Sequence, residues 1–239
     1  MAGTTIGILG SGMIGGAIAR LAVDAGYDVV VSNRRGPETL SELVADLGPH
    51  ARAATPAEAA QAGDIVVIAI PLGAYRTLPV EAMRGKVVID STNYYPGPGN
   101  QIAGLDDEST TTGEFVQAHL PESSVIKALS NVLFLHLVKL ARPAGDPERS
   151  GLPIAGDDEQ AKATVARFVD AIGYDVVDAG TLAEGWRFQR DTPLYARPYL
   201  GEGGEMPSYD REFNPGPGAQ VDTATVRRLL GEAKRYRDM

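Results

Sequence analysis

The 239-residue chain has no cysteine, only three histidines, a single tryptophan and 6% aromatic residues. Without cysteine, disulfides, thiolate metal centres and thiol catalysis are excluded, and a reducing compartment is permitted. His50, His119 and His136 are too scattered for ligand spacing, so no metal is expected. His136, within "LFLHLVKL", reads as a packed helix residue rather than a base. Positive charge is also scarce: 22 basic against 31 acidic side chains leave a net charge of -9. That is the wrong sign for a protein that grips phosphate backbones by charge, and no nucleic-acid partner is expected. No apolar run reaches membrane-spanning length, and "MAGTTIGILG" has no basic region ahead of its apolar stretch. A soluble, cytoplasmic protein without a membrane partner is the expectation.

What is present is an alternation of two periods. "TTIGILG" is a short apolar run, and "MIGGAIARLAVDAG" then places Ile14, Ile18, Leu21 and Ala22 at helical spacing. "YDVVVSN" follows as a strand, "PETLSELVADLG" as a helix with Pro37 near its start, and "TPAEAAQAG" as a shorter helix begun by Thr55. "DIVVIAIP" and "KVVIDS" are apolar on both faces, as strands covered on each side must be. The stretch "TNYYPGPGNQIAGLDDESTTTG" reads as a long loop. "SVIKAL" resumes as a strand, followed by a helix in "NVLFLHLVKL", a strand in "LPIAG", an amphipathic helix opened by Asp157, Asp158 and Glu159, and a strand in "YDVVDAG". From about Leu200 to Val221 the chain is rich in Gly, Pro and charge, after which Val226, Leu229, Leu230 and Ala233 fall on one helical face. The expected fold is α/β: a Rossmann-type doubly wound parallel sheet with a small C-terminal α/β domain and an arm ending in a helix. The expected units are residues 1–128, 129–199 and 200–239. The arm's apolar stripe needs a cover, and exchange across a homodimer is the favoured way to provide it.

Gly10, Gly12 and Gly15 spell G-x-G-x-x-G between a strand and a helix, with Ser11, Met13 and Ile14 between them. Gly10 permits the tight turn, Gly12 leaves room for a pyrophosphate, and Gly15 lets the helix approach the strand. The helix N-terminus offers unpaired N–H groups and partial positive charge to the phosphates. In an NAD site an acid about 20 residues on accepts from the ribose 2'-hydroxyl. Here Ser32, Asn33, Arg34 and Arg35 stand in that place. A carboxylate repels a 2'-phosphate, whereas hydroxyl, amide and guanidinium groups donate to it, so the expected cofactor is NADP. By the rule that ligands sit beyond the carboxyl ends of parallel strands, Ile70, Pro71 and Leu72 after one strand and Ser91, Thr92 and Asn93 after another border the nicotinamide. Asn93 is expected to hold its carboxamide.

No tyrosine has a lysine four residues on, which removes the Tyr-x-x-x-Lys pair of short-chain dehydrogenases. Strands in the second half argue against the all-helical second domain of β-hydroxyacid dehydrogenases and imine reductases. The glycine fingerprint with "SNRRGPETL", "STNYYPG", "VIKALSNV", "LPIAGDDEQAK" and "DAGTLAEGWRFQRDTPLY", in this order, resembles the family of coenzyme F420-dependent NADP oxidoreductases and their bacterial relatives. The resemblance runs from about residue 4 to 199 and leaves the arm uncovered. It implies hydride exchange between NADP and a flat deazaflavin, coenzyme F420, in a cleft between two domains. With both reactants cofactors, positioning carries the reaction and no catalytic acid or base is obligatory. Lys127, Asn131, Trp186 and Arg187 are candidates for the second pocket, with Phe188, Gln189 and Arg190 adding aromatic surface and charge. Two readings remain open beside this one: an NADPH-dependent reductase of a flavin, ferric chelate or small carbonyl compound, and a non-catalytic NADP sensor. A sensor is expected to close over NADP without leaving a pocket beside the nicotinamide.

Overall fold

The computed structural model describes residues 3–97, 101–207 and 212–235. Its strands are β1 (Thr5–Leu9), β2 (Asp28–Ser32), β3 (Ala51–Ala53), β4 (Ile65–Ile68), β5 (Val87–Asp90), β6 (Ser124–Ala128), β7 (Gly151–Gly156) and β8 (Asp175–Asp178). The helices are α1 (Met13–Asp24), α2 (Ser41–Leu47), α3 (Pro56–Ala62), α4 (Val80–Met83), α5 (Ala103–Asp106), α6 (Thr112–His119), α7 (Phe134–Lys139), α8 (Glu159–Ala171), α9 (Arg197–Leu200) and α10 (Thr223–Glu232). All eight strands join one sheet in the order β3-β2-β1-β4-β5-β6-β7-β8. The order reverses beside β1, which is where a doubly wound sheet opens a crevice for a ligand.

Side chains alternate across this sheet, and helices cover both sides. Ile65, Val67 and Ile89 join Ile18 of α1, Leu137 of α7 and Phe168 of α8 in one core, whereas Val66, Ile68 and Val88 pack with Ala59 of α3 and Val116 of α6 in the other. Local signals start several helices. Thr55 and Glu58 form a reciprocal capping box on α3, as Thr111 and Glu114 do on α6. Asp158 accepts from the N–H groups of Gln160 and Ala161 at the start of α8, the capping chemistry expected of that acidic run.

The second half differs from the expected parallel pattern in one respect. β7 runs antiparallel to β6, with Lys127 opposite Ala155, and β8 then pairs parallel to β7. The second-half strands thus extend the sheet of the first half instead of building a sheet of their own. We propose that the boundary after Ala128 is a change of direction within one sheet: Leu129 is a non-glycine residue at φ +58°, and the chain turns there.

The arm closes on its own chain. Val226, Leu229 and Leu230 of α10 are buried in the core that holds Leu152 of β7 and Val177 of β8. Just before the helix, Gly151 donates to the Val221 carbonyl at 2.7 Å, and the Val221 N–H donates to Ser150 Oγ at 3.0 Å. The apolar stripe therefore finds a cover on its own chain, the alternative to the favoured expectation of exchange across a homodimer. The helix stops at Glu232, short of the expected end; Tyr236 and Arg237 lie outside the described residues. Truncation after Leu200 should uncover β7 and β8 and lower stability by roughly 5 kcal/mol, the burial of two to three aliphatic side chains. Its mass in solution should correspond to the same number of subunits as in the full chain. A dimer kept by the full chain and lost on truncation would contradict docking within one subunit.

Candidate functional site

The turn after β1 has the geometry its glycines predict. Gly10 has φ +105°, and a Cβ there would lie 2.3 Å from the Ala69 carbonyl oxygen. A Cβ on Gly15 would lie 1.8 Å from the Gly10 carbonyl oxygen. Gly12 is different: a Cβ there would meet nothing within 4 Å, and the residue is the N-cap of α1 at φ -74°. Its lack of a side chain is not demanded by the protein, but it leaves a cradle open in front of the helix. No side chain caps α1, and its first turn carries no acid. The first N–H groups and the positive end of the helix dipole thus face that space.

The same turn is tied to the end of β2, because the Gly10 N–H donates to the Ser32 carbonyl at 3.0 Å. Asn33 Oδ1 accepts from the N–H groups of Arg35 at 2.8 Å and Gly36 at 3.0 Å, and its Nδ2 donates to Thr39 Oγ1 at 2.8 Å. Asn33 thus shapes the turn with its amide oxygen and one N–H, and the second N–H of its amide is left for an outward bond. The turn leaves Arg34 and Arg35 exposed, with no ion pair to either among the described residues. Ser32, expected to share in phosphate binding, is fully buried, and its hydroxyl donates to the Ile8 carbonyl at 2.8 Å.

Beyond β5, the loop of Ser91, Thr92 and Asn93 is held by a buried ion pair. Asp90 and Lys127, both fully buried, approach to 3.0 Å across β5 and β6. Asp90 Oδ1 accepts from the Thr92 N–H at 2.9 Å, and Lys127 Nζ donates to the Thr92 carbonyl. Both polar groups of the Thr92 backbone are thus clamped by the pair. Burial pushes the Lys127 pKa below its ordinary value, against the opposing pull of the Asp90 charge. Lys127, expected in the second-substrate pocket, is instead the internal fastener of this loop, because its side chain lies on the buried face of β6. Lys127→Met should cost about 3–5 kcal/mol by leaving Asp90 buried and unpaired. Adding Asp90→Asn should recover part of that loss, as denaturant unfolding will show.

Asn93 crosses between three segments: its Nδ2 donates to the Ser130 carbonyl at 2.8 Å and its Oδ1 accepts from the Arg190 N–H at 3.3 Å. Asn93 thus braces the cleft with one N–H and one lone pair of its amide, and its second N–H and lone pair remain for a ligand in the cavity that it lines. Ser91 Oγ donates to the Ile68 carbonyl at 2.7 Å.

Ser91 and Asn93, with Met13 and Ile14 of α1, Ser130 and Arg190, line a cavity of about 910 Å³ at this end of the sheet. The buried Ser130 Oγ has no hydrogen-bond partner among the described residues. Tyr95 and Tyr195 also line the cavity, and their hydroxyls meet at 2.6 Å, joining two loops at its mouth. Neither tyrosine is a sequence-predicted site residue, although Tyr95 stands in the "STNYYPG" stretch after a crevice strand. Leu72 does not face this cavity; it is 3% exposed within the core on the α3 side. Ile70 and Pro71 do not line the cavity either; Pro71 precedes the short 3-10 turn Leu72–Thr77.

The other expected second-pocket residues lie apart. Asn131 is fully buried and donates to Tyr199 Oη at 3.3 Å. Trp186 lines a separate cavity of about 110 Å³ with Tyr94, Glu108 and Arg235, and both Arg187 and Arg235 lie over its ring. Arg187 pairs with Glu184 and donates to the Leu230 carbonyl, which ties α10 down. Among the residues of that stretch, Arg190 reaches the large cavity and also lines the small one.

Residues 5–94 match the family described as NADP oxidoreductase, coenzyme F420-dependent. The chain is similar to a hypothetical protein from Sinorhizobium meliloti, with a TM-score of 0.71 and 29% identity over 81% of this chain and 93% of that one. It is also similar to a putative F420-dependent NADP-reductase from Arthrobacter sp. FB24, with a TM-score of 0.64 and 26% identity over 75% of this chain and 86% of that one. A third likeness is to the metalloreductase STEAP3 of Rattus norvegicus, 27% identical over 180 residues. That match covers 74% of this chain and 34% of the metalloreductase, so the chain spans about a third of the relative's length. The glycine turn, the basic β2 turn and the Ser91–Asn93 loop all lie inside the matched segment, so the likeness to the coenzyme F420-dependent NADP oxidoreductases falls on the residues that build this site.

Proposed function

We propose that the protein is an NADP(H)-dependent oxidoreductase that exchanges a hydride between NADP and a flat, deazaflavin-like partner, with coenzyme F420 as the leading candidate. The observation that carries this reading is the open cradle at Gly12, beside which Met13 and Ile14 continue directly into the wall of a cavity of about 910 Å³. The chain's own groups fit the cofactor. Gly10, Ser11, Gly12 and Gly15 shape the pyrophosphate site, and Arg34 and Arg35, without an ion pair among the described residues, offer their guanidinium groups to the 2'-phosphate. Ser91 and Ser130 border the nicotinamide end.

When bound, the cofactor supplies or takes the hydride, and in the NADPH-oxidising direction the partner also takes a proton from solvent. The protein's contribution is to hold two flat rings at van der Waals distance in a cleft whose walls are tied to one another. The Asp90–Lys127 pair fixes the Ser91–Asn93 loop, and Asn93 braces it against Ser130 and Arg190. The cavity left beside the cradle favours an enzyme over a sensor. Likeness to a metalloreductase supports a second reading, in which a ferric chelate or flavin is the acceptor. A cytoplasmic homodimer is the setting that goes with either reading; among the described residues no helix is long and apolar enough to cross a membrane. NADPH oxidation by the purified chain, with F420, FMN, ferric citrate and a carbonyl panel presented in turn, tests the assignment. Transfer to F420 above the others supports it. Transfer to a flavin or ferric acceptor alone sinks the F420 part and leaves the NADP reading standing.

A further inference from the structure

The arm does more than carry α10 to its dock. After α9 the chain leaves the body at Gly201 and returns at Gly218, and its two limbs are pinned together. The Glu205 N–H donates to the Asn214 carbonyl at 2.7 Å, Asn214 Nδ2 donates to the Gly203 carbonyl at 3.3 Å, and the Gly218 N–H donates to the Leu200 carbonyl at 2.9 Å. Glycine is required for this closure. A Cβ on Gly216 would lie 2.3 Å from the Leu200 carbonyl oxygen, and one on Gly204 would lie 2.5 Å from Leu200 Cβ. The described limbs, residues 201–207 and 212–218, are thus held at a fixed base. From that base Met206, Pro207, Phe213 and Pro215 line the large cavity.

A second feature lies where the arm begins. Arg197 lines the same cavity, is exposed, and has no ion-pair or side-chain hydrogen-bond partner among the described residues, whereas the neighbouring Arg190 is paired with Asp191 at 3.0 Å. Arg197 follows Ala196, a non-glycine residue held at φ +54° by a 2.8 Å bond from its N–H to the Asn131 carbonyl. Backbone held in this sparsely populated region next to a cavity is characteristic of sites that fix a side chain for binding.

We propose that residues 201–207 and 212–218 form the acceptor-selecting wall of the cleft, with Met206 and Phe213 against a flat apolar face of the acceptor and Arg197 paired to an anionic group on it. This rests on the reading above, in which NADP occupies the glycine-turn end. The test uses the full chain saturated with NADP, and two probes that share a ring system: FMN, which carries a phosphate, and lumiflavin, which does not. Fluorescence quenching gives both dissociation constants. Met206→Ala with Phe213→Ala should weaken both probes about tenfold, as expected for two lost aromatic and thioether contacts. Arg197→Gln should weaken FMN about tenfold and leave lumiflavin unchanged, through loss of a charge-assisted bond. Affinity for NADP should stay within about twofold throughout. The proposal is overturned if the unmodified NADP complex binds neither probe, if the variants bind both as the unmodified chain does, or if the arm variants lose NADP as steeply as the probes. Failure of the unmodified chain to bind NADP would instead overturn the functional reading beneath it.

Discussion

Gly12→Val is expected to unfold at the same temperature as the unmodified protein and to bind NADPH on the order of 100-fold more weakly, roughly 3 kcal/mol. The two halves of that result have separate causes. A Cβ on Gly12 meets no atom within 4 Å and φ is -74°, so the apo chain has open space where the side chain starts and a backbone that suits any residue. The volume it would fill is the space in front of the α1 N-terminus, where the pyrophosphate must approach the backbone. Gly10→Ala and Gly15→Ala should behave oppositely. Each drives a Cβ into backbone, at 2.3 Å and 1.8 Å, so each should lose about 1–3 kcal/mol of stability as well as cofactor binding. Thermal unfolding beside NADPH titration separates the two classes. A large drop in melting temperature for Gly12→Val would show that the cradle is structural rather than a binding space.

The second large effect concerns cofactor choice. Replacing Arg34 and Arg35 together with alanine should weaken NADPH by about 30-fold or more and leave NADH within about twofold. Both guanidinium groups are exposed and unpaired among the described residues, so their removal breaks no internal contact and should not move the melting temperature. The turn itself should survive, because it is shaped by the Asn33 side chain and the Thr39 hydroxyl. Asn33→Ala should therefore also loosen NADPH, indirectly, by releasing the turn that aims the arginines. Equal losses for NADPH and NADH in the double variant would place the arginines outside the 2'-phosphate site.

Much of this site is legible in the sequence because its parts are local. The glycine turn, the arginines after β2 and the crevice loop after β5 each follow a strand recognisable by its apolar run, and strand ends are where such a sheet binds. Directions and partners are less legible. The antiparallel setting of β7 leaves no trace in the run "LPIAG", since side-chain alternation is the same in either direction. β3 is only three residues long and has no period to read. α5 lies inside the stretch that reads as loop, and α6 begins in its last two residues, where Thr111 and Glu114 spell a capping box. Lys127 at a strand end looks like a pocket cation until its partner is known, and Asp90 stands 37 residues earlier. An amphipathic stripe on α10 likewise demands a cover without saying whose, and the structure supplies it from β7 and β8 of the same chain.

The central claim is that the glycine turn and the basic β2 turn together make an NADP site, and calorimetric titration of the unmodified chain with NADPH and with NADH tests it most directly. The account predicts one site per chain, with NADPH bound at least about 30-fold more tightly than NADH and the difference shrinking as salt is raised. Equal affinity for the two cofactors, or no binding of either, would contradict it.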